Sequence, residues 1–214
     1  ANDRLAENPE FEAEVRALYK RWDQRDPEVV DLWKETRQWS LDGFTQMYNE
    51  LGIRFDRYYF NSEEEQPGKE IVNELIEKGI AQDERANGGP VIVKIDEQLG
   101  LTKDKYRVMV VLRSDSTALY ATEDLALAKQ KFLDYPDLVQ SFYVVDVRQS
   151  LHFQQVFKTL ELAGYEWAQR CQHVVYELVT LPGNVILASR DGNVVLLEDL
   201  IREATERALA VVEE

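Results

Sequence analysis

Three polar clusters stand where short apolar runs give way to helical patterns, the position at which open α/β sheets bind ligands. Residues 113–126 hold Tyr120, Thr122, Glu123 and Asp124. With Thr122 as a cap, Glu123 and Asp124 fall in the first turn of a helix, where the dipole favours ionised carboxylates. A carboxylate beside a phenol in a cleft suits a cation, best of all a guanidinium that takes paired hydrogen bonds. The plainer reading is that these acids only complement the dipole. Residues 144–155 hold Gln149, whose amide could meet a substrate, and His152, which could reach a phosphate or hydroxyl. Here the alternative is a capping Ser150 and a hydrogen-bonded, partly buried histidine. The third cluster, Ser189, Arg190, Asp191 and Gly192, is a turn whose hydroxyl, guanidinium and amides could hold a polyphosphate, as many surface loops could.

The elements that must position these groups follow from periodicity. Asp26, Pro27 and Glu28 start a helix. Trp33, Phe44, Met47, Tyr48 and Leu51 continue its apolar spacing to Gly52, and residues 39–43 are expected to break it in two. Residues 55–60 form an aromatic strand candidate, followed by an acidic turn and a helix over 67–78 that Gly79 ends. Residues 91–95 and 106–112 are β-rich and read as a hairpin. From Thr122 the rhythm alternates: helix 122–133, strand 141–146, helix 153–163 closed by Gly164, strand 173–179 and helix 197–212. Such alternation predicts a parallel sheet covered on both faces. The domain division expected is a helical module over 1–88 and an α/β part over 89–214.

Composition narrows the chemistry. The chain has 214 residues, 44% hydrophobic and 30% charged, with a formal net charge of −15. That balance argues against a broad nucleic-acid footprint, though not against a nucleotide pocket built from amides and a few cations. One cysteine, Cys171, and two histidines exclude an internal disulfide and a zinc site, and point to an intracellular protein. No apolar run approaches the ~20 residues of a membrane span. The sequence lacks the Gly-x-Gly-x-x-Gly, phosphate-loop and Gly-x-Ser-x-Gly patterns. It opens at Ala1 and closes inside an apolar helical period, so a piece of a longer protein is expected.

Taken in order, the clusters resemble the arginyl-tRNA synthetases, a class I aminoacyl-tRNA synthetase family. Tyr120, Thr122, Asp124, Leu125 and Ala126 match its Tyr-x-Thr-x-Asp-Ile/Leu-Ala motif, and Asp146, Gln149, His152, Phe153 and Gln155 match its second signature. His173, Leu181, Pro182, Ser189, Arg190, Gly192, Asp199 and Glu203 follow its adenine strand, mobile loop and closing helix. The resemblance implies the second half of a Rossmann-type catalytic domain with a helical insertion module and a small β-hairpin. It implies that Tyr120, Asp124 and Gln149 hold L-arginine, Asp124 facing the guanidinium. His152, His173, Ser189 and Arg190 would contact ATP with its Mg2+, Ser189 and Arg190 serving catalysis in the mobile loop. The partners implied are L-arginine, ATP and tRNA-Arg in the cytoplasm, with no membrane and no protein-bound metal. The chain departs from the family in having no His-x-Gly-His and in reading Val-Ile-Leu-Ala-Ser-Arg where Lys-Met-Ser-Lys-Ser is the class pattern. A non-catalytic synthetase-like paralogue that binds arginine or a partner is the alternative.

Overall fold

The computed structural model of the chain describes residues 8–177, 180–181, 185–186 and 195–212. They group into two compact units, one of Ala1–Asp56 with Val179–Glu214 and one of Arg57–Leu178. The second unit takes in residues on both sides of position 88.

The first unit begins with helices α1 (Pro9–Asp23) and α2 (Pro27–Glu50). Asn8 caps α1, its side chain accepting from Glu10 N at 3.0 Å, and Asp26 caps α2, accepting from Glu28 N at 3.1 Å. Arg21 straps the corner between them, reaching Asp26 at 2.8 Å and Glu28 at 2.7 Å. The break expected at residues 39–43 does not occur, and α2 runs through it. Gly43 sits on an open helix face, and a lone glycine costs a helix only about 1 kcal/mol. The Thr36 and Thr45 hydroxyls bond the carbonyls of Leu32 and Leu41, so neither competes for a turn.

The second unit opens differently from the expectation. Residues 55–60 form no strand, for no neighbouring strand pairs with them. Helix α3 (Asn61–Glu77) starts six residues before Pro67, which lies inside it. Pro67 resembles a first helical residue, but the stripe Glu64, Gly68, Ile71, Val72 and Leu75 is buried, and that packing outweighs the lost hydrogen bond. Strands β1 (Ala81–Asp83), β2 (Val91–Lys94) and β3 (Val108–Leu112) make an antiparallel sheet in the order β1-β2-β3. The β2–β3 hairpin was expected; β1 is an addition. A one-turn helix α4 (Ile95–Gln98) lies between β2 and β3, and Asp96 accepts from the backbone N–H groups of Lys105, Tyr106 and Arg107 to fold the loop back.

Helix α5 (Tyr120–Asp134) then packs on α3. Strand β4 (Ser141–Asp146), helix α6 (Ser150–Leu162) and strand β5 (Cys171–Tyr176) form a βαβ unit. β4 and β5 pair in parallel from Ser141↔Cys171 to Asp146↔Tyr176. One face of this pair meets α6, where Tyr143 packs on Phe153 and Phe157 at centroid separations of 5.1 and 5.0 Å. On the other face Phe142 and Val144 are 55% and 63% exposed, so the expected cover on both faces is not found among the described residues. The core gathers Val72, Leu75, Val91, Val93, Ile95, Val111, Leu125, Val156 and Leu160, all fully buried.

The first unit closes with the short antiparallel pair β6 (Thr180–Leu181) and β7 (Val185–Ile186) and with helix α7 (Leu197–Val212), which ends where the periodicity placed it. The α/β class expected from the sequence holds. No helix among the described residues is long and apolar enough to cross a membrane.

Candidate functional site

The site grows from the corner between β3 and α5. Arg113 braces the connecting loop by donating to Thr117 Oγ1 at 3.1 Å and to the Ala118 carbonyl at 2.7 Å. Asp115 accepts from Thr117 N at 3.0 Å and from its hydroxyl at 2.7 Å, and Ser116 turns the chain at a φ of 66°. Thr122 is not the cap that its neighbours suggested. It is the third residue of α5 and fully buried. Its hydroxyl accepts from Leu119 N at 2.9 Å and donates to the Val111 carbonyl, tying the start of the helix to β3.

A glycine sets how closely α3 approaches this corner. A Cβ at Gly68 would lie 2.5 Å from the Thr122 carbonyl oxygen, too close for any side chain. The helix pair therefore closes backbone to backbone beside the residues that carry the chemistry.

Tyr120 opens α5 and is 76% exposed. Asp124 follows one turn later on the same face, half-buried, and its Oδ2 lies 2.6 Å from His152 Nε2. His152 comes from the first turn of α6, and Gln149 stands just before that helix, exposed. Polar groups from two helices 28 residues apart in sequence thus meet at Asp124. The Phe153 ring lies beside both histidines, its centroid 5.0 Å from that of His152 and 5.5 Å from that of His173. His173 Nε2 on β5 donates to the Val145 carbonyl at 3.2 Å. Gln155 is buried and ties α6 to the Tyr106 carbonyl, a structural contact.

Beside Asp124 lies a small cavity of about 30 Å3, lined by Tyr59, Phe60, Asn61, Glu64, Glu123, Asp124 and Leu127. Three of these seven residues are acids and none is basic. Glu64 is only 5% exposed, and burial pushes its carboxyl above the usual range, helped by the charges of Glu63 and Asp134. Burial also raises Glu123, against the opposing hydrogen bond that Asn61 donates to it. Tyr59 donates to Asp134 at 2.9 Å, and its phenol is pushed up to about 12 by burial and by that carboxylate. At the end of β4, the Arg148 guanidinium holds the Asp146 carboxyl down at about 2.

The structure thus brings Asp124 and His152 together, with Tyr120 one turn before Asp124 on α5 and Gln149 three residues ahead of His152. It keeps His173 one aromatic ring away. Ser189 and Arg190 lie outside the described residues. Asn61 and Glu64 were not singled out from the sequence, and Glu123 was read there only as a first-turn acid beside Asp124. Glu64 carried a signal, since it falls four residues before Gly68 on the buried stripe of α3. Asn61 meets Glu123 from 62 residues away, and nothing local announces that.

Comparison with known proteins gives one consistent result. The family model described as class I (R) tRNA synthetases, catalytic domain, matches residues 1–214. An arginine–tRNA ligase of Clostridium botulinum (strain Alaska E43) is 39% identical over 213 residues, which is 100% of this chain and 36% of the relative. That of Bdellovibrio bacteriovorus is 38% identical over 188 residues, 88% of this chain and 30% of the relative. Among solved structures, the arginyl-tRNA synthetase of Plasmodium falciparum superposes with a TM-score of 0.68 at 19% identity, covering 96% of this chain and 33% of its own. The Thermus thermophilus arginyl-tRNA synthetase gives 0.62 at 23% identity, covering 95% and 40%. At those identities the superpositions speak for the fold alone. The chain spans about a third of the length of the curated relatives it matches.

Proposed function

The chain belongs to the class I (R) tRNA synthetase catalytic-domain family, and from that premise we propose that it carries the amino-acid pocket of an arginine–tRNA ligase. The observation that carries this reading is the 2.6 Å contact between Asp124 and His152 at one corner of the Arg57–Leu178 unit, with Tyr120 one turn before Asp124 on α5 and Gln149 close by in sequence. In this reading Asp124 receives the guanidinium of L-arginine, with the Tyr120 phenol beside it and the Gln149 amide oriented to the same substrate. A carboxylate is the fitting partner because a guanidinium only donates hydrogen bonds and keeps its charge at any physiological pH. Acidic lining without a basic residue supports the same selection of a cation.

ATP, with Mg2+ as its counterion, is the second substrate. His173 and the loop of Ser189 and Arg190 are the groups proposed to meet it, on the second half of a Rossmann-type domain. The arginine carboxylate attacks the α-phosphorus, a P–O bond forms to the amino acid, the bond to the β-phosphate bridge breaks, and pyrophosphate leaves. A ribose hydroxyl of tRNA-Arg then attacks the activated arginine carbonyl, forming an ester as the bond to the phosphate breaks and AMP leaves. Positioning and charge stabilisation are the protein's contribution to such a step. The family expectation places this work in the cytoplasm.

Titration calorimetry of the chain with L-arginine, L-lysine and L-citrulline, repeated with Asp124→Asn, tests the pocket. Arginine-selective binding that falls at least 100-fold in the variant supports the reading. The complete polypeptide that carries this chain should catalyse arginine-dependent ATP–pyrophosphate exchange, and its failure to do so would favour a synthetase-like paralogue without activity.

A further inference from the structure

We infer that His152 is a positioning residue for the arginine pocket, holding Asp124 by one carboxylate oxygen and leaving the other for the substrate. The inference rests on the proposed arginine site and adds to it a residue whose role the family likeness would put at ATP instead. An ionised carboxylate only accepts hydrogen bonds, so His152 Nε2 must carry the hydrogen in the 2.6 Å contact with Asp124 Oδ2. That fixes what this nitrogen does, and a phosphate would have to displace Asp124 to use it. Both side chains are half-buried, a setting in which a charge-assisted hydrogen bond is stronger than at an open surface.

The ring is itself held. His152 lies in the first turn of α6 and meets the edge of Phe153 at 85°. Phe153 is buried against Tyr143 and Phe157, so the imidazole stands on the unit's aromatic core. Asp124 alone, half-buried near the start of α5, could swing among rotamers; with Oδ2 pinned, Oδ1 points in one direction. The neighbouring acid cannot take its place, because Glu123 is bonded to Asn61. Recognition of a planar fork such as guanidinium depends on the acceptor's orientation as well as its charge. His152 supplies that orientation from a second helix.

The test uses steady-state ATP–pyrophosphate exchange by the complete polypeptide, with KM measured separately for arginine and ATP. Variants are His152→Ala, His152→Phe, His152→Gln and Asp124→Asn. The expected result is an arginine KM raised about tenfold in His152→Ala and His152→Phe, with the ATP KM within about twofold of wild type. His152→Gln, which keeps an N–H donor, should recover part of the loss. Because His152→Phe keeps the ring packing, a wild-type arginine KM in that variant would overturn the hydrogen-bonding role. A raised ATP KM with an unchanged arginine KM would overturn it in favour of a phosphate contact. An arginine KM untouched by Asp124→Asn would instead sink the arginine site itself, and so separates the two failures.

Discussion

Among the described residues the hairpin of α1 and α2 buries Val29 and Met47 alone, whereas α3, α5 and α6 each bury most of one face. Both regions have helices with an amphipathic pattern, and the side-chain caps belong to α1 and α2. The difference lies in what the apolar faces meet. In the hairpin, Val15, Leu18, Tyr19, Trp22, Val29, Leu32, Trp33 and Thr36 line a groove of about 560 Å3. In the Arg57–Leu178 unit the equivalent stripes close on strands and on one another. An amphipathic period therefore names the apolar face but not its cover. The candidate site lies in the region where the helix stripes are covered, as a pocket needing fixed side chains requires.

The contrast is sharpest for truncations. Leu75→Ala, at a fully buried position, should lower stability by about 2–5 kcal/mol in urea unfolding. Leu32→Ala in the hairpin, already 54% exposed, should stay within about 0.5 kcal/mol. Equal losses at the two positions would break the comparison.

The next effect reverses sign between the regions. Gly68→Ala forces a methyl into the Thr122 carbonyl and should cost about 1–3 kcal/mol. Gly43→Ala meets nothing within 4 Å inside a helix and should stabilise by about 1 kcal/mol. Melting curves of the two variants should move in opposite directions.

The smallest effects are titrations within the compact unit, and they also oppose one another. Glu64 has a raised folded-state pKa, so the unfolded chain gives up its proton first and stability falls as pH rises through the ordinary carboxylate value towards the folded one. Glu64→Gln should therefore stabilise the protein at neutral pH, with the gain vanishing in acid below about 4. Asp83 is held down at about 2 by Arg85, so it contributes stability above the ordinary carboxylate range that is lost as pH falls from about 4 to about 2. Unfolding midpoints of Glu64→Gln and Asp83→Asn measured from pH 2 to 7 check both signs.

Much of the α/β rhythm was legible because β4 and α7 are strong local patterns, and both have the predicted bounds. What escaped depends on distant partners. β1 is Ala-Gln-Asp, with little strand preference of its own, and exists because it pairs with β2. The aromatic residues 55–60 have strand preference and no strand to pair with. Thr122 looks like a cap by its acidic neighbours, yet its hydroxyl is drawn to Val111, eleven residues back. In the site, Tyr120, Asp124, Gln149 and His152 stood out as polar types at element boundaries. The pairing of His152 with Asp124 did not, since spacing along the chain says nothing of contacts between helices.

The face of β4 and β5 left open among the described residues has a colloidal consequence. Phe142, Val144, Val174 and Tyr176 share it and are all exposed, on a chain whose formal charge is −15. Mutual repulsion keeps such molecules apart in dilute buffer at neutral pH. Salt shortens the reach of that repulsion to about 10 Å at 0.1 M, and acidification towards the isoelectric point near 4.6 removes it. The isolated chain should therefore stay dispersed at low ionic strength and cluster through this face as the solution becomes saltier or more acidic.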